Sequence, residues 1–192
     1  MFTKNTPLKR ERIYVDDDAD LDLIKDRRIA VLGYGSQGHA QAQNLKDSGL
    51  DVVVGSIEDQ FADQARSDGF EVVAIAEAVQ RSDVIMMLIP DEVQAAVYAA
   101  DIRANLKKGQ VLVFASGYAV HFGLISPPDF VDIVLVVPAC VGGIVRERFV
   151  RGQGYHGHFG AHQDFSGKAR DIALAVAKGI GLLRFGASET TM

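Results

Sequence analysis

Three glycines carry the clearest chemistry in this sequence. Leu32-Gly-Tyr-Gly-Ser-Gln-Gly-His39 spaces Gly33, Gly35 and Gly38 as G-x-G-x-x-G. In that pattern the first glycine permits a tight turn, the second lets backbone approach a pyrophosphate, and the third lets helix and strand pack closely. The free N–H groups of Gly35, Ser36 and Gln37, at the positive end of a helix, can then hold phosphate oxygens. The adenine ribose should be met after the following strand, at Gly55-Ser-Ile-Glu-Asp-Gln60. There only Ser56 suits a 2′-phosphate, while Glu58 and Asp59 repel one and can accept hydrogen bonds from free ribose hydroxyls. The expected cofactor is NAD(P)H, with NADH favoured, although both acids also suit the start of the next helix.

A reduced nicotinamide carries its own hydride, so the protein must add orientation and a proton. Ser116, Tyr118 and His121 follow the fifth strand and are the candidate catalytic residues. Ser116 is a poor acid unless networked, and His121 and Tyr118 are equally compatible with packing. His156 and His158 alternate, so a short strand points both to one face; solvation on an edge strand is preferred over a metal site. Cys140 has no neighbouring cation or base in sequence to lower its pKa and reads as a packed thiol. Arg146 and Arg148 are able to bind an anionic substrate or simply face solvent. Asp16, Asp17, Asp18, Asp20 and Asp22 form a solvated acidic run, and no metal site is expected.

These groups need a scaffold that brings strand ends together. Arg28–Leu32, Asp51–Val54, Glu71–Ala74, Asp83–Ile89, Gln110–Phe114 and Asp132–Val137 are Val/Ile/Leu-rich runs, not alternations. Such strands are buried on both faces, which predicts a parallel sheet covered by helices. Two more strands are expected near 155–161 and 183–188. Helices are expected at 36–48, 59–68, 91–100 after Pro90, and 165–179. The fold class is α/β: a doubly wound, mostly parallel sheet of about eight strands, the Rossmann arrangement. Residues 1–26 read as an N-terminal extension packed on one dinucleotide-binding domain at 27–192.

The 192 residues fit one such domain, with 48% hydrophobic and 23% charged residues. A formal net charge of -5 argues against nucleic-acid binding. One cysteine leaves no internal disulfide, and the longest apolar run, 133–145, is broken by Pro138 and two glycines. The charged N-terminus does not look like a signal peptide, so a cytoplasmic protein with no membrane partner is expected.

The chain resembles ketol-acid reductoisomerase. The resemblance is carried by Val15-Asp-Asp-Asp-Ala-Asp-Leu21, the glycine turn through Ala40, Ile89-Pro-Asp-Glu-Val-Gln94, His121-Phe-Gly123 and Pro127-Pro128. Ala161-His-Gln-Asp164, Ser166-Gly-Lys-Ala169 and Glu189-Thr-Thr191 complete it, in order along almost the whole chain. That family couples a magnesium-assisted alkyl migration to reduction by NADPH in branched-chain amino-acid synthesis. The resemblance implies cofactor contacts from Tyr34, Gly35, Ser36 and Gln37, from Ser56, from Pro90, Asp91 and Gln94, from Ser116, and from Gly142.

The departures set the functional expectation. Phe114-Ala-Ser-Gly117 has Ser116 where the family has histidine. Pro138-Ala-Cys-Val-Gly-Gly143 has Ala139 for lysine and Gly143 for histidine. The family's helical C-terminal domain, source of its magnesium ligands, would begin after Met192. The expected function is therefore an NAD(P)H-dependent reductase of a small carbonyl or imine, without magnesium-dependent isomerase activity. A homodimer or partner enzyme is expected to cover the nicotinamide face. The alternative is a non-catalytic NAD(P)-binding module, or a subunit completed by a partner chain.

Overall fold

The computed structural model describes residues 12–192. Residues 1–11 of the expected N-terminal extension lie outside the described residues. The strands are β1 (Ile13–Tyr14), β2 (Ile29–Leu32), β3 (Val52–Gly55), β4 (Glu71–Val73), β5 (Val84–Met87), β6 (Val111–Phe114), β7 (Asp132–Pro138), β8 (Gly157–Gln163) and β9 (Ala187–Glu189). The helices are α1 (Asp22–Lys25), α2 (Ser36–Asp47), α3 (Gln60–Ser67), α4 (Ile75–Arg81), α5 (Asp91–Val97), α6 (Tyr118–His121), α7 (Gly142–Val150) and α8 (Ala169–Gly179).

One sheet runs in the order β1-β9-β8-β7-β6-β5-β2-β3-β4. Pairing is parallel from β4 across to β7; β8 is antiparallel to β7, β9 parallel to β8, and β1 antiparallel to β9. Every residue of β2, β5 and β6 is buried, as apolar runs covered on both faces must be. On one face Leu45 of α2, Val145 of α7 and Ile172 of α8 join Val31, Val113 and Val134. On the other, Val79 of α4 and Ala119 of α6 join Leu32, Met87 and Leu112. Full burial of each larger aliphatic side chain contributes about 1.5–3 kcal/mol relative to exposure.

This topology makes one crevice. The chain leaves β2 for β3 and β4, then crosses back to β5, so the strand order reverses between β2 and β5. Open α/β sheets bind ligands beyond the carboxyl ends of the strands at such a point. The two turns there touch closely: a Cβ on Gly33 would lie 2.8 Å from Ile89 Cγ2.

Several elements differ from the sequence expectation. The sheet has nine strands because Ile13 and Tyr14 pair with Ser188 and Ala187. Tyr14 packs edge-on against Phe159 at 5.0 Å, and Lys178 donates to the carbonyls of Asp16 and Ala19. The helix expected from 165 begins at Ala169, whose N–H is held by the Asp164 carboxylate after a turn with Gly167 at φ 74°. The helix after Pro90 changes to a π turn at Tyr98–Ile102. Among the described residues no helix is long and apolar enough to cross a membrane.

Candidate functional site

The glycine turn meets the crevice from beneath. Gly33 has φ 88°, open to glycine at little cost, and Gly35 caps α2 with extended backbone. A Cβ on Gly35 would meet nothing within 4 Å, whereas one on Gly38 would lie 2.1 Å from the Gly33 carbonyl oxygen. Gly35 thus leaves open space above the α2 N-terminus, and Gly38 seats the helix on the strand. The first N–H groups of α2 have no helical acceptor and face an anion favourably.

Two side chains lock this turn to the loop after β7. Ser36 Oγ accepts from the Gly142 N–H at 3.2 Å, and Gln37 Nε2 donates to the Cys140 carbonyl at 2.8 Å. The N-termini of α2 and α7 therefore converge at Ser36, adding their positive ends. Gly142 packs against Ser36 behind the cleft. Tyr34 turns its hydroxyl away, donating to Asp68 at 2.8 Å; burial, then the Asp68 contact, raises its phenol above the ordinary range.

Above the turn lies a cleft of about 540 Å³. Gly33, Tyr34, Gly35, Ser36 and Gln37 line its end at the α2 N-terminus, with Ser56 and Pro90 beyond. Ile57, Phe61, Val93 and Val97 give it apolar walls suited to a planar base. Phosphate-facing N–H groups, a bare glycine approach and an apolar slot together fit a dinucleotide. Asp59 borders the cleft, but its carboxylate caps α3 by accepting from Phe61 and Ala62 N–H at 3.0 and 2.9 Å. Glu58 does not line it. Arg66, which the sequence reading did not weigh, binds Glu58 at 2.6 Å and holds that carboxyl below its usual range. Asp91 and Gln94 also stand outside the lining: Gln94 Nε2 donates to the Asp91 carboxylate and the Ile89 carbonyl, steadying the start of α5.

A second, smaller cleft of about 330 Å³ opens between α6 and the β7–β8 pair. Tyr118 and His121 line it together, over Leu135 and Val137, with His158 opposite. Ser116 does not line it; its Oγ accepts from the Tyr118 N–H at 3.3 Å. His158, with His156, was expected to be solvated on an edge strand. The edge-strand reading is corrected, because β8 has β7 on one side and β9 on the other. His158 Nδ1 lies 2.8 Å from Ser188 Oγ, and its ring stands edge-on to His156 at 5.2 Å.

The two arginines considered for substrate are committed elsewhere. Arg146 binds Asp47 at 2.7 Å and Asn44 Oδ1 at 3.0 Å, joining α7 to α2. Arg148 donates to the Gly154 carbonyl. Burial raises the Cys140 thiol, partly offset by Arg148, which agrees with a packed thiol. Among the described residues no three His, Cys, Asp or Glu side chains gather as a metal shell.

Comparison with known proteins gives four informative matches. A family model described as acetohydroxy acid isomeroreductase, NADPH-binding domain, matches residues 23–186. The ketol-acid reductoisomerase (NADP(+)) of Petrotoga mobilis is 52% identical over 179 residues, covering 93% of this chain and 54% of that protein. The chain thus spans about half the length of that curated relative. The solved structure of an NADH-preferring ketol-acid reductoisomerase from an uncultured archean superposes with TM-score 0.92 at 40% identity, over 94% of this chain and 56% of the other. A semialdehyde dehydrogenase NAD-binding protein from Cupriavidus necator, 20% identical with TM-score 0.73 over 86% of this chain and 63% of its own, shares the fold.

Proposed function

The chain belongs to the acetohydroxy acid isomeroreductase family through its NADPH-binding domain, and from that premise we propose that it works as an NAD(P)H-dependent reductase of a small carbonyl or imine, without the magnesium-dependent isomerisation. The observation that carries this reading is the changed end of the crevice. Ser116, Ala139 and Gly143 stand where the family resemblance leads one to expect His, Lys and His, while the phosphate turn keeps every glycine. Alkyl migration needs divalent ions to polarise two oxygens. Hydride transfer asks less of the protein.

A bound NAD(P)H supplies the hydride. The chain's own part is to hold phosphates at the α2 N-terminus, seat the base between Ile57, Phe61 and Val93, and bring the reacting end toward the strand tips after β6 and β7. NADH is proposed over NADPH. Glu58, Asp59 and Asp63 gather around Arg66 at the proposed ribose end, so a 2′-phosphate meets net negative charge there. A solved relative described as NADH-preferring supports this use within the family. Residues 27–192 are proposed to form the dinucleotide domain, with 1–26 an extension. A second copy or a partner enzyme is proposed to cover Tyr118, Phe122 and Leu124, each at least half exposed beside the second cleft.

The test is oxidation of NADH and NADPH by the purified chain with acetolactate, hydroxypyruvate and cyclic imines, each in magnesium and in EDTA. Reduction of a carbonyl or imine in EDTA, with no magnesium-dependent turnover of acetolactate, is the expected result. Magnesium-dependent turnover of acetolactate overturns the reading.

A further inference from the structure

We propose that the cleft between α6 and the β7–β8 pair receives the reacting end of the substrate, and that His158 donates the proton there. This assignment rests on the reductase reading and deepens it. Val137 and His158 are partners across the antiparallel β7–β8 pair, one residue short of the β7 tip. Residues directly opposed in a ladder share a face, so His158 projects with Val137 toward α6, where Tyr118 and His121 project back.

Ser188 sets the ring. It is the register partner of His158 on β9, nearly buried, with its Oγ 2.8 Å from Nδ1. That bond turns Nε2 away from β9. A serine hydroxyl both donates and accepts, so the bond survives whether the imidazole is neutral or charged. A ring that keeps its orientation in both states is suited to giving up a proton and regaining it. The other candidates are less prepared. Ser116 Oγ already accepts from the Tyr118 N–H. Tyr118 is 51% exposed, and His121 stands edge-on to Phe122 at 4.9 Å with no side-chain hydrogen bond among the described residues.

The step balances. As hydride reaches the substrate carbon, the C=O or C=N double bond becomes single and its electron pair moves to oxygen or nitrogen. That atom takes the proton from His158 Nε2, leaving a neutral ring that recharges from water. His156 beside the ring, with His121 and Tyr118 across the cleft, are the titratable groups facing it.

Ring-15N NMR of the whole chain tests this without relying on turnover. There are five histidines, so single substitutions assign them. With binding followed by displacement of NADH fluorescence, saturation with NAD+ should shift the His158 ring signals more than NADH does, because only the oxidised ring is cationic. A His158 signal unchanged in a saturated complex overturns the assignment. In turnover, His158→Gln should lower kcat about a hundredfold or more, with NADH affinity kept and the pH dependence of kcat flattened. His162→Gln, at the exposed end of the same strand, should change neither. Turnover that survives His158→Gln sinks the assignment and leaves the reductase reading standing. No turnover of any probe by the wild-type chain sinks the reductase reading and the assignment with it.

Discussion

The N–H of Gly142 donates to Ser36 Oγ at 3.2 Å, and a Cβ on Gly142 would lie 1.8 Å from the Ser36 carbonyl oxygen. The first turn of α7 is thereby wedged against the first turn of α2. Gly142→Ala forces backbone, not a flexible side chain, to move. The expected cost is about 1–3 kcal/mol, seen as a melting temperature lower by roughly 2–4 °C per kcal/mol. NADH affinity should fall with it, since the displaced Ser36 also faces the cleft.

Gly35 and Gly38 separate binding from folding. Gly35→Ala meets no protein atom within 4 Å, so its melting temperature should match the wild type. Its NADH affinity should drop at least about tenfold, or 1.4 kcal/mol, because the methyl occupies the phosphate approach. Gly38→Ala collides with the Gly33 carbonyl and should lose about 3 kcal/mol of stability. Thermal melts and fluorescence titrations of both variants distinguish the roles. Unchanged NADH binding by Gly35→Ala would place the phosphates elsewhere.

At the proposed ribose end, Glu58 engages Arg66 and so limits what Arg66 offers a ligand. Glu58→Gln should release Arg66 toward a 2′-phosphate. The ratio of NADPH to NADH affinity should then rise about tenfold, the effect of one charge-assisted hydrogen bond. Competitive titration with both cofactors measures it. A wild-type chain that strongly prefers NADPH contradicts the role given to Glu58 and Asp59.

Cys140 gives a chemical readout of the loop after β7. Burial raises its thiol above the usual thiol range, so less thiolate is present at mildly alkaline pH than in a free cysteine. Alkylation by iodoacetamide should be slower than that of a cysteine peptide at the same pH, and should accelerate only at higher pH. A rate equal to the peptide's would mean that the loop is open.

Stability should fall on the acid side through Glu189. Arg170 holds its carboxyl below the ordinary value by a two-nitrogen contact at 2.9 and 3.1 Å. A lowered folded-state value means the ionised form is favoured by folding, so this stabilisation is full above the ordinary carboxylate range and is lost as pH falls through the folded value. The pair is about 40% exposed, and solvent screening limits it to at most about 1 kcal/mol. Glu189→Gln should lower the melting temperature slightly at neutral pH and leave it unchanged in acid.

What could be read in advance follows the range of the interactions. The glycine turn was legible because Gly33, Gly35 and Gly38 answer local backbone demands, and α2 was placed within a residue because Ser48 and Gly49 end it. The central strands were legible because burial on both faces leaves uninterrupted apolar runs. His158 was not, since its setting depends on β9, from the far end of the chain, pairing beside β8. Arg146 likewise needed Asp47, 99 residues away in sequence by simple subtraction, to show that it is a brace between helices. Alternating His156 and His158 marked a shared face, but nothing local told a strand with one neighbour from a strand with two.

The most direct measurement of the central claim is isotope transfer. NADH deuterated at the transferred position is incubated with the chain and the carbonyl and imine probes in EDTA, and the product is weighed by mass spectrometry. One deuterium on the reduced carbon of at least one probe is the expected result. Product without deuterium, or reduction that appears only when acetolactate and magnesium are both present, contradicts it.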